Sequence, residues 1–451
     1  MFTLPWKHLY FAGCGGVGMA GLAHICADAG VLISGSDAVN SSLLVSLQQR
    51  GCRIQVGHAR ELPPGVDLLV YSAAVPADNP ERQDAARRGI PSCCRGEFLA
   101  RLAAFYPRVV AVAGSHGKTT TTAMLVHIAL QAGINPGYLV GGEVSGWLRS
   151  AAAGTGELLI TEVDESDGTQ ALLAATHAVI LNIEDDHCWS LGGIEALEQC
   201  FVTFARQAGK VFAWQEGNAP RLLAELPQTL LLPPEVHPQL TVLPLPGLHN
   251  RRNATMALRV AEELGIPTQQ AVTALQKFPG VSRRLSVRWQ SSSGELVLVE
   301  DYAHHPTELR MTLEALQERW PRHQLWVLFQ PHRYERVKRY APDFALILGG
   351  VQRVWLVAPF AAWKDDCQLA DPEDITRAIN LAKPGLAQYI STGVQQIPEL
   401  VLPVLAEARG RILLAVIGAG DIGKAAELLA AALQDSSRAT EGSGDTSSSR
   451  G

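Results

Sequence analysis

The chain has 451 residues, 47% of them hydrophobic and 18% charged, which is enough for about three domains of ~150 residues, each with its own core. Its net charge of -6 excludes the basic excess that marks most nucleic-acid-binding proteins. Eight cysteines, at 14, 26, 52, 93, 94, 188, 200 and 367, form no C-x-x-C pair, as expected of buried or free thiols in a reducing cytoplasm. With no long apolar stretch at the N-terminus and no apolar run reaching ~18 residues, neither export nor a membrane span is expected.

In chain order, His8-Leu9-Tyr10-Phe11-Ala12 reads as a strand that runs into the glycine-rich Gly13-Cys14-Gly15-Gly16-Val17-Gly18 and then a helix from about Met19. A second strand, from Val31, ends at Asp37, 19 residues past Gly18. This spacing predicts a diphosphate at the helix N-terminus, with the Asp37 carboxylate at a ribose hydroxyl. Nothing local requires the ligand to be NAD. A further strand, Asp67 to Ser72, precedes a proline-rich loop. The segment is short for a six-stranded dinucleotide domain and predicts a smaller α/β domain ending near residue 105.

The β-branched run Val109-Val110-Ala111-Val112-Ala113 leads into Gly114-Ser115-His116-Gly117-Lys118-Thr119-Thr120 and then an apolar helix. Strand, loop and helix in that order build a phosphate cradle: loop amides and the helix dipole converge, Lys118 adds a cation, and the Thr119 hydroxyl can hold Mg²⁺. Val112 stands where the longer G-x-x-x-x-G-K-[ST] pattern needs glycine, so the loop is the shorter G-S-H-G-K-T form. ATP or GTP is the expected ligand.

Two later strands end in polar clusters, Glu162 to Asp167 and Glu184 to His187. Ligands in open α/β sheets gather at such strand ends. Glu162 or Asp164, with His187, is expected to complete a Mg²⁺ shell, the carboxylates suiting a hard cation best. His249 and Asn253, four apart, share one face if helical, and Arg283 with Arg284 offers guanidinium forks for phosphate. In the last third, strands end at Asp301, before Tyr302-Ala303-His304-His305, at Phe329, before Gln330-Pro331-His332-Arg333-Tyr334-Glu335-Arg336, and at Ile417. Zinc at His304-His305 is disfavoured, because thiolates are absent nearby and Arg333, Arg336 and Lys338 repel a cation. Arg333 and Arg336 suit a carboxylate or phosphate. The small, polar stretch from Ser436 to Gly451 is expected to be a disordered tail.

These motifs, together with Gly57-His58, Asp78-Asn79-Pro80-Glu81 and Gly418 to Lys424, resemble the Mur ligase family over about residues 8 to 430. The resemblance implies an α/β protein of three domains. A Rossmann-like N-terminal domain (1–105) would bind a UDP-sugar, and a central P-loop ATPase-type parallel-sheet domain (106–281) would bind ATP. A C-terminal Rossmann-like α/β domain (282–435) would bind the amino acid and close the site, leaving a tail (436–451). The implied reaction phosphorylates the lactyl carboxylate of UDP-N-acetylmuramate with ATP, and an amino acid's amine then attacks the acyl phosphate. L-alanine is the expected amino acid, with glycine or L-serine open.

By the same resemblance, Thr119, Glu162 and His187 are metal ligands, with Lys118 and Mg²⁺ neutralising the γ-phosphoryl group. His249 and Asn253 lie on the adenine side, and Arg284 is a further nucleotide contact. Gly15, Gly16, Gly18, Asp37, His58 and Ser72 face the UDP-sugar. Tyr302, His304, Arg333 and Arg336 face the incoming amino acid, with His304 and Arg333 also catalytic. The family usually has threonine where Ser115 stands and an Asp-Thr-Tyr stretch where Cys188-Trp189-Ser190-Leu191 follows His187. Phe360 to Asp366 is also unusual for a region near the acceptor. Alternatives are a recycling ligase that attaches L-Ala-γ-D-Glu-meso-diaminopimelate to the same UDP-sugar, an NAD-dependent oxidoreductase, which leaves Gly114 to Thr122 unused, and a non-catalytic nucleotide-binding regulator. A monomer or homodimer in the cytoplasm is expected, with no nucleic-acid partner.

Overall fold

The structure is a computed structural model that describes residues 2–186, 191–361, 370, 371 and 373–444, with side chains described through Ser437. It divides into two compact units, Met1–Pro244 with His249–Val281, and Leu245–Leu248 with Ser282–Gly451.

The first unit holds two sheets. Strands β1 (His8–Ala12), β2 (Leu32–Asp37), β3 (Arg53–Val56), β4 (Leu68–Tyr71) and β5 (Ser92–Cys94) form an all-parallel sheet in the order β3-β2-β1-β4-β5. The order reverses at β1, so its C-terminal end opens the crevice where such sheets bind ligands. All five β1 residues are buried, as a continuous apolar run between helical layers requires.

The second sheet contains β6 (Arg108–Ala113), β7 (Gly137–Leu139), β8 (Ala151–Ala152), β9 (Leu158–Glu162), β10 (His177–Ile180), β11 (Lys210–Trp214) and β12 (Thr229–Leu232). Their order is β12-β11-β10-β6-β9-β7-β8, parallel except for β8. The buried β6 lies between β10 and β9, so the loops that follow these three strands meet at one edge. The helix Lys118–Gln131 begins at once after Gly117.

One continuous core joins both sheets: Leu9, Phe11 and Phe98 belong to the same buried cluster as Val109, Leu159 and Phe201. Two glycines permit this contact. A Cβ at Gly21 would lie 2.2 Å from Leu139 Cδ1, and one at Gly96 would lie 2.1 Å from Thr169 Oγ1. Both distances are far inside van der Waals contact, so helix backbone packs directly on the neighbouring layer.

The second unit has one sheet of β13 (Ser286–Gln290), β14 (Leu296–Asp301), β15 (Gln324–Phe329), β16 (Arg353–Val357), β17 (Ala387–Ile390) and β18 (Ile412–Ile417). The order is β13-β14-β18-β15-β16-β17, with only β13 antiparallel. Apolar clusters cover both faces. Its last helix runs Ile422–Gly444, past residue 436 where the tail was expected to begin. There the Ser436 and Ser437 hydroxyls are satisfied within the helix, donating back to the carbonyls of Ala432 and Leu433. Residues 445–451 lie outside the described ones.

Among the described residues no helix is long and apolar enough to cross a membrane. Cys14, Cys26, Cys52, Cys93, Cys94 and Cys200 are free thiols, while Cys188 and Cys367 lie outside the described residues.

Candidate active site

At the end of β1, the amides of Gly13 and Cys14 both donate to Ser36 O, which binds the glycine loop to β2. Asp37 sits directly beneath the loop. Its Oδ2 accepts from Gly15 N at 2.7 Å and its Oδ1 from Val39 N at 3.0 Å. Asp37 therefore shapes the loop through the backbone, a task that the expected ribose contact does not include. A Cβ at Gly15 would come within 2.8 Å of Asp37 Oδ2, which explains the glycine. Gly16 caps the helix Val17–Asp28 with no side-chain hydrogen bond and no acid in the first turn, so the positive helix end stays available to an anion. Ser72 lies against Gly13, whose Cβ would approach Ser72 Cβ to 3.0 Å.

His58 reaches this end of the sheet through a buried carboxylate. Glu81 is fully buried and accepts from Tyr10 OH at 2.8 Å and Ala59 N at 2.7 Å, and His58 Nδ1 lies 3.1 Å from it and 3.2 Å from Ser36 Oγ. Burial, followed by the Glu81 charge, pushes the Tyr10 hydroxyl well above its ordinary value. Glu81 was visible in the sequence only as part of Asp78-Asn79-Pro80-Glu81.

The phosphate cradle forms where β6 meets the helix Lys118–Gln131. Gly114 and Gly117 take φ of 139° and 84°, which L side chains adopt at a cost. Asn182, at the end of β10, braces the loop: its Oδ1 accepts from His116 N at 2.8 Å and its Nδ2 donates to His116 O at 3.1 Å. Ser115 Oγ accepts from Glu184 N at 2.9 Å, a contact that needs only a hydroxyl. The helix Leu248–Glu263 carries both His249 and Asn253. A Cβ at Gly117 would lie 2.8 Å from Asn253 Oδ1, which places Asn253 against the cradle. Asn250 beside it is buried and His249 half-buried.

Lys118 Nζ donates to Gly114 O at 2.7 Å and Ser115 O at 3.2 Å and pairs with Glu165 at 2.7 Å. Burial opposes its charge, but Glu165, Asp164 and Glu162 outweigh that, so the ammonium is held above its ordinary value. Burial pushes the Glu165 carboxyl up to about 7, against the pull of Lys118. Asp164 shows the opposite balance: burial raises it, yet Arg95 and then Lys118 hold it down at about 2. Arg95 binds Asp164 at 3.0 Å and Asp167 at 2.6 Å. It also lies 3.2 Å from where a Cβ of Gly18 would stand, so it spans the diphosphate loop and the acidic loop.

Glu162, the last residue of β9, fits a cation ligand. Its Oε2 is buried without a hydrogen-bond partner, an arrangement that costs free energy unless something fills it. A Cβ at Gly141 would lie 1.8 Å from Glu162 Oε1, and one at the adjacent Gly142 would lie 3.2 Å from Thr119 Cγ2. Thr119 and Glu162 thus both lie against the same glycine pair, and both offer the hard oxygens that Mg²⁺ takes. His187 lies outside the described residues.

In the second unit, Asp301 is buried and accepts from Leu285 N, Ala303 N and Thr312 Oγ1, setting the turn that presents Tyr302 and His304. His304 Nδ1 lies 3.2 Å from Glu308 Oε2, its ring 5.5 Å from His332, and His332 stacks on Phe360 at 5.8 Å. Arg333 takes φ 69° and donates its amide to Phe360 O. Arg336 is fully buried, with Nη1 3.2 Å from His332 Nδ1, so it supports His332 from below. Arg284 pairs with Glu308 and lies 5.0 Å from the Tyr302 ring. Arg283, also a candidate phosphate fork, is instead bound by Glu300 and the carbonyls of Gly418 and Gly420. Of the Phe360 to Asp366 stretch, residues 362–366 lie outside the described ones.

Three α/β sheets, with a glycine-rich loop at the end of β1 on the first and a lysine-bearing loop at the end of β6 on the second, have the architecture of a multidomain nucleotide-dependent enzyme. Family models match at residues 8–107 (Mur ligase family, catalytic domain), 112–229 (Mur ligase middle domain) and 283–420 (Mur ligase, glutamate ligase domain). The chain is 32% identical to a UDP-N-acetylmuramate--L-alanine ligase of Bordetella petrii, over 93% of this chain and 97% of the relative. It is 33% identical to one from Cupriavidus metallidurans, over 92% and 96%. The solved structure of UDP-N-acetylmuramate-alanine ligase MurC from Thermotoga maritima matches with a TM-score of 0.78 at 22% identity, covering 95% of this chain and 99% of that one. A murein peptide ligase from Psychrobacter arcticus matches at 0.68 and 22%, covering 95% and 98%. The chain belongs to the Mur ligase family.

Proposed function

We propose that the chain is the ATP-dependent ligase that joins L-alanine to the lactyl carboxylate of UDP-N-acetylmuramate, through an acyl phosphate, in peptidoglycan precursor synthesis. The observation that carries this is the cradle itself: a lysine held at the loop, with an oxygen of Glu162 buried and unpartnered beside it, on a chain whose curated relatives are named for this ligation.

The UDP diphosphate lies at Gly15, Gly16 and Gly18, against the open end of the helix Val17–Asp28, with Asp37, His58 and Ser72 holding the loop to shape. Lys118 and the loop amides from Gly114 through Thr120 bind the ATP phosphates, and Asn253 and His249 flank the base side. Thr119 and Glu162, with His187, would hold Mg²⁺, which when bound neutralises charge on the transferring phosphoryl group. Tyr302, His304, Arg333 and Arg284 come from the second unit, where His304 and Arg333 orient the amine and carboxylate of the amino acid and Arg336 keeps His332 in place. Excluding water matters because an acyl phosphate hydrolyses if the amine arrives late. The reaction belongs to the cytoplasm, where ATP and UDP-sugars are found.

The test is ATP-dependent phosphate release with UDP-N-acetylmuramate and Mg²⁺, comparing L-alanine, glycine, L-serine and L-Ala-γ-D-Glu-meso-diaminopimelate. Release stimulated best by L-alanine, with the amide product seen by mass, supports the reading. Preference for the tripeptide moves the chain to the recycling ligase.

A further inference from the structure

The Lys118 ammonium has three N–H groups to place. Two go to the carbonyls of Gly114, at 2.7 Å, and Ser115, at 3.2 Å. Both carbonyls belong to the loop that carries the lysine. The third faces Glu165, 3.0 Å from Oε1 and 2.7 Å from Oε2, and a phosphate-loop lysine needs a free donor of this kind to meet a phosphate oxygen.

Glu165 is 1% exposed, and besides Lys118 the groups acting on it are the carboxylates of Asp164 and Asp186. A carboxylate buried among other acids is costly without a cation beside it, so Glu165 and Lys118 depend on each other. We propose that Glu165 is a stand-in for phosphate: it keeps Lys118 charged and aimed while the site is empty, and nucleotide displaces it. The inference rests on reading Gly114 to Thr119 as the ATP cradle. Glu165 acts only through Lys118, with which it pairs, and is a positioning residue. Nucleotide affinity then reflects an exchange of one anion for another, and weakening the resident anion tightens binding.

The test is equilibrium titration of the full chain with a non-hydrolysable ATP analogue and Mg²⁺. Glu165→Gln keeps the shape and removes the charge, and should bind the analogue at least about threefold tighter, because a buried ion pair is removed from the empty state. Glu165→Asp keeps the charge and should stay within about twofold of wild type, and UDP-sugar affinity should not change in either. A folded Glu165→Gln chain that binds the analogue equally or more weakly overturns the inference alone. Failure of the wild-type chain to bind any nucleotide overturns the cradle reading and the inference with it. Should Glu165→Gln not fold, the wild-type chain still decides: nitrogen-labelled lysine should show one ammonium signal protected from exchange without nucleotide, shifting when the analogue is added. Absence of that protected signal also overturns the inference.

Discussion

At the scale of single residues, Lys118 and Asp37 test whether the two proposed ligand sites are separate. Lys118→Ala should lower phosphate release by at least ~10³-fold, since it removes the cation that meets the developing phosphate charge. The UDP-sugar affinity should be nearly unchanged, because Lys118 follows β6 of the second sheet while the diphosphate loop follows β1 of the first. Loss of UDP-sugar affinity in a folded Lys118→Ala chain would contradict that division. Asp37→Ala should do the reverse. It frees the Gly15 and Val39 amides that the carboxylate now holds, and about 1.4 kcal/mol of lost loop order is a tenfold weaker UDP-sugar. Titration with the UDP-sugar and with ATP separately reads both effects.

At the scale of elements, the first two sheets depend on helix backbones that approach without side chains between. Gly96 lies in the helix Arg95–Ala103, and its missing Cβ is where Thr169 Oγ1 stands. Gly96→Ala should therefore destabilise the chain by about 1–3 kcal/mol through overpacking, seen as a lower denaturant midpoint. It should also weaken ATP and UDP-sugar binding together, because Arg95 on the same helix holds Asp164 and Asp167 and lies under Gly18. A midpoint unchanged within the ~0.5 kcal/mol typical of surface substitutions would mean that the two layers move apart at little cost.

At the scale of the whole molecule, buried histidines set the response to acid. Burial is the leading cause that lowers His8, His24, His127 and His177 below the ordinary 6.5. The native chain keeps them neutral where the unfolded chain already binds protons. Below about 6.5 the unfolded state thus holds more protons, and stability falls as the pH drops from 7 to 5, by up to ~1.4 kcal/mol per pH unit for each histidine. Glu165, raised to about 7 by burial against Lys118, runs the other way, as one group against four. Denaturant unfolding at pH 7.5 and 5.5 should show the loss, and His127→Gln should make it smaller. Equal stability at both values would remove these histidines from the account.

Much of this was legible before any coordinates, because the chemistry sits in short contiguous loops at strand ends. Gly13 to Gly18, Gly114 to Thr119 and Asp301 to His304 each carry their own strand before and helix after. The short strands β7, β8, β12 and β17 were not legible, since two to four residues give too little alternation to distinguish a strand from a loop. The partner of Arg283 was not legible for a related reason: a guanidinium in a loop is equally suited to a ligand phosphate and to Glu300 with two carbonyls, and only the fold brings the latter within reach.

The sequence by itself determined the class of fold and the two glycine-rich strand-to-helix turns, at Gly13 to Gly18 and Gly114 to Thr119, because backbone geometry follows from neighbouring residues. The tertiary structure alone decided which groups complete them. Lys118 and Glu165 are 47 residues apart, Arg95 and Asp164 69, and His116 and Asn182 66. Such pairs form only after parallel strands have set their order, so no local pattern encodes them.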